Sequence, residues 1–153
     1  MTINLELKQA LYDELNALLD EKITAIRQAM METSESMKND TKSSAGDKFE
    51  TGREMMQIEL NNQQVQLNKL KQLHHDLSLI KISDIHTAVG FGSLVNTSMG
   101  CYFVSVALGK IVLNTANYYA LSLASPIGRA LHGAKVGDVV TFQGKKIEIL
   151  DMV

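Results

Sequence analysis

Two carboxylates, Asp47 and Glu50, stand three residues apart in the stretch Ser43-Ser44-Ala45-Gly46-Asp47-Lys48-Phe49-Glu50. At the start of a helix that spacing turns both side chains to one face. The same pattern has a purely structural use: an Asp cap followed three residues later by Glu closes a capping box, worth about 1 kcal/mol. Residue type alone leaves both uses open. The other reactive side chains are sparse. Cys101 is the single cysteine, so no disulfide framework and no cysteine-built zinc site can form. It lies in an apolar stretch with no histidine placed to activate it, and reads as core filling. His74 and His75 are adjacent but lack a third ligand at helical spacing. His86 and His132 stand alone.

The elements that must position the two acids are helices. From about Leu5 to Met37 the apolar residues Leu11, Leu15, Leu18, Ile26, Met30 and Met37 recur at threes, fours and their sums, which is helical periodicity. At roughly 1.5 Å per residue such a helix is on the order of 50 Å long. A second run, from about Lys48 to Leu79, places Met56, Leu60, Gln63, Leu67, Leu70, His74 and Leu77 at alternating steps of four and three, a heptad seam with two polar members. Gln63 and His74 read there as register-setting or solvent-facing positions. Met30, Met31, Met55 and Met56 read as seam filling near the turn. Lys38 to Ala45 is rich in Ser, Thr, Asn and Lys, and Gly46 supplies a turn. With no proline in the first 125 residues, the two runs form an antiparallel hairpin whose far end carries the acids.

The pattern changes after Ile80. Phe91 to Val95, Tyr102 to Leu108, Gly109 to Leu113 and Tyr119 to Leu123 read as short strands bounded by Gly and Asn. Ser125-Pro126 is a helix start, with Ser as cap and Pro in the first helical position. A short helix from Ile127 to Leu131 follows, and Gly133 sits where a left-handed C-terminal cap belongs. Val139 to Phe142 and Lys145 to Leu150 flank Gln143-Gly144 as a hairpin. The expected architecture is α+β: a coiled-coil hairpin over 1–80 with an acidic tip near 43–50, and a small antiparallel sheet domain with one short helix over 81–153.

Composition excludes several classes. Apolar residues at 45% and charged residues at 21% are globular values. A formal net charge of −2 argues against unaided binding to a nucleic-acid duplex, which uses a basic excess. The apolar stretch from Cys101 to Leu108 is too short to span a bilayer as a helix. With no signal pattern at Met1-Thr2-Ile3-Asn4, a cytoplasmic protein without a membrane partner is expected.

Two segments together resemble a known family. Gly46-Asp47-Lys48-Phe49-Glu50 is similar to the tip of the bacterial Gre transcript-cleavage and elongation factors, where Gly-Asp is followed three residues later by Glu. Ser125-Pro126-Ile127-Gly128-Arg129-Ala130-Leu131, with Gly133 and Val136-Gly137-Asp138-Val139-Val140 beyond it, resembles the FKBP-like C-terminal domain of those factors. The resemblance implies a protein that is not itself an enzyme. It would enter the secondary channel of RNA polymerase and stimulate the polymerase's own hydrolysis of backtracked RNA near the RNA 3′ end. By position, Asp47 and Glu50 match the acids that share a magnesium ion with the polymerase, and no other cofactor is implied. Ser125 and Pro126 match a surface that contacts the channel rim. Lys48 and Arg53 lie where they could approach RNA phosphates, or simply be solvated.

Magnesium keeps several waters and takes only one or two carboxylates from any one source. Two acids could therefore complete a shared site without holding the ion alone. The sequence also departs from the family. After the tip glutamate Gre factors usually continue Asn-Ala-Glu-Tyr, whereas here the run is Thr51-Gly52-Arg53-Glu54, with Glu54 at the tyrosine position. Ala124 stands where an acid often precedes Ser-Pro. The alternative is a channel regulator that binds polymerase and inhibits without stimulating cleavage. Readings from other classes are a prolyl isomerase, disfavoured by the few aromatics, and a homodimerising coiled coil; a monomer is expected.

Overall fold

The computed structural model describes residues 3–40 and 46–153. Two helices, α1 (Leu5–Asp40) and α2 (Gly46–Ser78), precede β1 (Leu94–Thr97), β2 (Gly100–Val104), β3 (Gly109–Leu113), β4 (Ala116–Leu121), α3 (Pro126–Leu131), β5 (Val139–Phe142) and β6 (Lys145–Met152). The chain is α+β, a long helical hairpin followed by a six-stranded sheet with one short helix. It divides into two compact units, Leu18–His74, and Met1–Ala17 together with His75–Val153.

Asn4, just before α1, accepts at its Oδ1 from the Leu7 backbone N–H at 2.8 Å and so satisfies one orphan donor of the first turn. In the unit Leu18–His74 the helices run antiparallel. Lys22, Ala25 and Ile26 border a furrow with Gln66, Lys69 and Leu70, and the higher-numbered Ala29 to Ser36 border one with the lower-numbered Met55 to Gln63. The seam follows the expected positions of α2: Gln63 and Leu67 are buried, and Met56, Leu60, Leu70 and His74 are half-buried. His74 Nε2 lies 3.7 Å from Asp20 Oδ1. Both side chains are well exposed, so this pair contributes little to stability.

Two details differ from the periodic reading. Met31 and Met55 are exposed, and only Met30 and Met56 turn towards the seam. Successive residues on a helix lie about 100° apart, so neither adjacent pair can face the seam together. Gln63 is buried at 6% exposure; its Nε2 donates to Glu59 Oε1 at 3.3 Å, while its Oε1 has no partner.

The second unit is built on a sheet of order β3-β4-β2-β1-β6-β5. Two tight turns carry positive φ at both central residues, Asn114 and Thr115 between β3 and β4, and Gln143 and Gly144 between β5 and β6. That geometry matches the twist of the flanking strands. The pairing is antiparallel except at β2–β4, where Tyr102 to Val104 run parallel to Tyr119 to Leu121. This corrects the expected all-antiparallel sheet. β4 folds back on β3 and enters between β3 and β2, so β3 and its flanking loops form the crossover that a parallel pair requires. The β1–β6 register shifts between Asn96 and Thr97, leaving Leu150 as an extra residue in β6. The inward alternation of Ile147 and Ile149 therefore resumes at Met152 rather than at Asp151.

Val95, Val104, Leu121, Leu131, Ile147, Ile149 and Met152 form a buried cluster that includes the inner face of α3. Leu11, Leu15 and Leu77 are fully buried in the same unit. Each such side chain contributes about 1.5–3 kcal/mol relative to exposure. Among the described residues no helix is long and apolar enough to cross a membrane.

Candidate functional site

α2 starts at Gly46, so Asp47, Lys48 and Glu50 belong to its first turns. The segment Ser43 to Ala45 and the side chains of Asp47, Lys48 and Phe49 lie outside the described residues. Asp47 occupies a position inside the first turn rather than the cap before it, where a negative charge is favoured by the helix dipole. Glu50 is exposed and, among the described residues, makes no hydrogen bond and no ion pair. A capping box would have engaged that carboxylate with a backbone N–H; here it is left unengaged. Glu50, Arg53, Glu54 and Gln57, spaced as one helical stripe, border a single shallow depression. Arg53 and Glu54 are exposed as well.

The second site is the corner before α3. Ser125 has extended backbone (φ −67°, ψ 155°) and caps the helix. Its Oγ accepts from the Gly128 N–H at 3.1 Å and donates to the Ser122 carbonyl at 2.7 Å. The hydroxyl is thus committed within the chain. Pro126, at the first helical position, is exposed, as are Ala124 and Arg129. Gly128 makes this corner possible: a Cβ there would lie 2.2 Å from the Ser122 carbonyl oxygen and 2.9 Å from Ser125 Oγ. At the other end of α3, Gly133 adopts φ +82° after the His132 cap, and its N–H donates to the Val89 carbonyl at 2.9 Å. The paired acids and the Ser-Pro corner belong to different compact units.

The remaining reactive groups take structural places. Cys101 is buried, and burial pushes its thiol up to about 12, far from a reactive thiolate. His132 is exposed at the end of α3. Among the described residues no group of three His, Cys, Asp or Glu side chains can hold a metal ion.

One polar cluster escaped the reading of the sequence. Lys8 is fully buried, with Nζ donating to the Asp84 carbonyl at 3.0 Å and the Val153 carbonyl at 3.4 Å. Burial holds its pKa below the usual lysine value, against the opposing charge of Asp84. His86 is held below its usual value by burial first and then by the Lys8 charge, with Asp84 opposing. The signal was present: Lys8 precedes Leu11 and Leu15 by three and seven residues, on the stripe that turns inward.

No protein-family model and no curated protein matches this chain. Among solved structures, that of the transcription factor Gfh1 is similar to it at 20% identity, covering 90% of this chain and 92% of its own, with a TM-score of 0.37.

Proposed function

We propose that this chain is a transcription elongation factor of the Gre type. It binds RNA polymerase through the secondary channel and stimulates cleavage of backtracked RNA by presenting Asp47 and Glu50 to a magnesium ion at the polymerase active centre. The observation that carries this reading is the Glu50 carboxylate, which makes no hydrogen bond or ion pair among the described residues. It is exposed in the first turns of α2, three positions after Asp47, within the motif that resembles the Gre tip. The helical hairpin and the Ser125-Pro126 corner support it from the rest of the chain.

The donor set fits a shared site. Two carboxylates three apart on a helix offer oxygen ligands from one side, and the described residues offer no third. When bound, magnesium supplies charge stabilisation and an acidified water in a two-metal phosphoryl site. The chain's own contribution would be positional: Asp47 and Glu50, three positions apart in α2, would supply ligand oxygens. Arg53, one turn beyond Glu50, brings a cation to the same stripe, where it can meet an RNA phosphate. Pro126 and Arg129 offer the exposed surface for the channel rim, because the Ser125 hydroxyl is occupied as a cap.

The test is a backtracked elongation complex with core RNA polymerase. Release of 3′ RNA fragments should appear with the wild-type chain and fall at least a hundredfold in Asp47→Ala/Glu50→Ala, while polymerase capture is retained. A wild-type chain that polymerase does not capture sinks the proposal. Glu54, exposed where the family usually has tyrosine, favours a second reading as a channel inhibitor. In that case RNA synthesis slows without cleavage, and the inhibition survives loss of both acids.

A further inference from the structure

The hairpin has a face that nothing in its own unit covers. Lys22 and Ala25 of α1 border one furrow with Gln66 and Lys69 of α2; further along, Ala29 and Glu32 border a second with Met55 and Glu59. On α1 the lining positions 22, 25, 29, 32 and 36 advance by threes and fours, and on α2 positions 55, 59, 63, 66 and 70 do the same. Both furrows therefore lie on the same side of the hairpin. Between the charged ends, Ala25 and Ala29 of α1 lie on this side as well, the first exposed and the second half-buried.

The charges on this face are sorted. The cations Lys22 and Lys69 border one furrow and the carboxylates Glu32 and Glu59 border the other; neither furrow mixes the two signs. Lys22 and Glu32 are ten residues apart on α1, and so are Glu59 and Lys69 on α2, a separation of about 15 Å along each helix. Among the described residues neither lysine has a hydrogen bond or ion pair. Each glutamate is engaged only by a glutamine one turn away, Gln28 for Glu32 and Gln63 for Glu59, both at 3.3 Å.

Equal spacing with opposite signs makes the face complementary to itself. A two-fold axis across the helices, midway between the charged ends, superposes α1 on the second copy's α1 in the opposite direction. Lys22 then meets Glu32 of the second copy, Lys69 meets Glu59, and Ala25 meets Ala29 between them. We infer that two copies of this chain associate through this face as an antiparallel four-helix arrangement. The interface is isologous, as a closed dimer requires. The small Ala25 and Ala29 let the two α1 helices approach closely, and the exposed charges set direction and respond to salt. Packed this way each hairpin covers the other, so the association would hold the chain away from any partner that receives a single hairpin. This goes beyond the proposed function and stands without it.

Sedimentation equilibrium on the full chain tests it. The wild type should dimerise at low ionic strength, and association should weaken at least tenfold on addition of molar salt. Lys22→Glu/Lys69→Glu carries four acids on the face and Glu32→Lys/Glu59→Lys four cations, so each alone should be monomeric. An equimolar mixture should form a one-to-one heterodimer, which a general effect on folding cannot produce. Ala25→Glu, at an exposed position on this face, should abolish association with helix content unchanged by circular dichroism. A wild type that stays monomeric to millimolar concentration overturns the inference. So do variants that dimerise as well as the wild type, or a mixture in which the two variants stay apart.

Discussion

Replacing Gly128 by Ala tests how the Ser125 corner is built. The added Cβ would stand 2.2 Å from the Ser122 carbonyl oxygen and 3.0 Å from Leu123 Cα, both backbone atoms that no rotamer change can move. That same carbonyl accepts from the Ser125 hydroxyl at 2.7 Å and the Ser125 N–H at 3.1 Å. Relieving the clash must therefore open the turn that carries the cap. Overpacking of this kind costs about 1–3 kcal/mol, and a lost Ser cap adds about 1 kcal/mol. The lower backbone entropy of Ala in the unfolded chain returns about 0.5–1 kcal/mol. The net expectation is a loss of roughly 1–3.5 kcal/mol, a fall of about 2–14 °C in melting temperature at this chain length. All four tyrosines, Tyr12, Tyr102, Tyr118 and Tyr119, lie in the unit that contains α3, so thermal unfolding followed by tyrosine fluorescence reports on that unit. Gly52→Ala is the control: it lies inside α2 with open space around its Cβ position, and should stabilise the hairpin by up to about 1 kcal/mol in helix-detected melting. An unchanged or raised tyrosine-detected midpoint for Gly128→Ala would refute the reasoning.

Three further outcomes are expected. His86 has a depressed pKa in the folded chain, so the unfolded chain takes up the proton first as pH falls; stability is constant above about pH 6.5 and declines below it. Melting from pH 8 to 5 should show a decline that His86→Gln flattens, and identical profiles would remove His86 as its source. Lys8→Ala leaves the Asp84 carbonyl without its donor and opens a cavity, an expected loss of about 2–4 kcal/mol in urea unfolding; a loss under 1 kcal/mol would mean the buried ammonium holds nothing in place. Gln63→Leu removes an unmet buried acceptor from the hairpin seam and should raise the hairpin's stability by about 1 kcal/mol, whereas a loss would show that the amide has a partner in solution.

The parts of the fold that were legible are those whose information is local. The seam from Met56 to His74 and the two-residue turn at Gln143-Gly144 depend on spacing and on φ preference within a few residues, and both are present as read. Strand limits were less legible because apolar runs continue past the ladder. Phe91-Gly92 precedes β1 as a turn, with Gly92 at φ +93°, and Val106 to Leu108 close a turn after β2 through the Leu108 N–H to Val106 carbonyl bond. The parallel β2–β4 pair was illegible, since it depends on where β4 inserts and on no residue near it. Lys8 was overlooked because its charge masked a position that periodicity assigns to the interior.

The candidate site divides along the same line, between groups whose bonding capacity is used and groups whose capacity is left over. Ser125 has the residue type expected of a contact, yet its hydroxyl both donates and accepts inside the corner. The exposed groups at the corner are the Pro126 ring and Arg129, so Ser125→Ala should act through the cap and cost about 1 kcal/mol of stability. Glu50 is the opposite case. Its carboxylate is exposed and, among the described residues, makes no hydrogen bond or ion pair, so its removal leaves no described donor unpaired. Glu50→Ala should therefore leave the melting temperature within about 0.5 kcal/mol of wild type, while abolishing whatever the acid does for a partner. A large loss of stability in Glu50→Ala would assign the residue to the helix start, and the case for a presented carboxylate would fall with it.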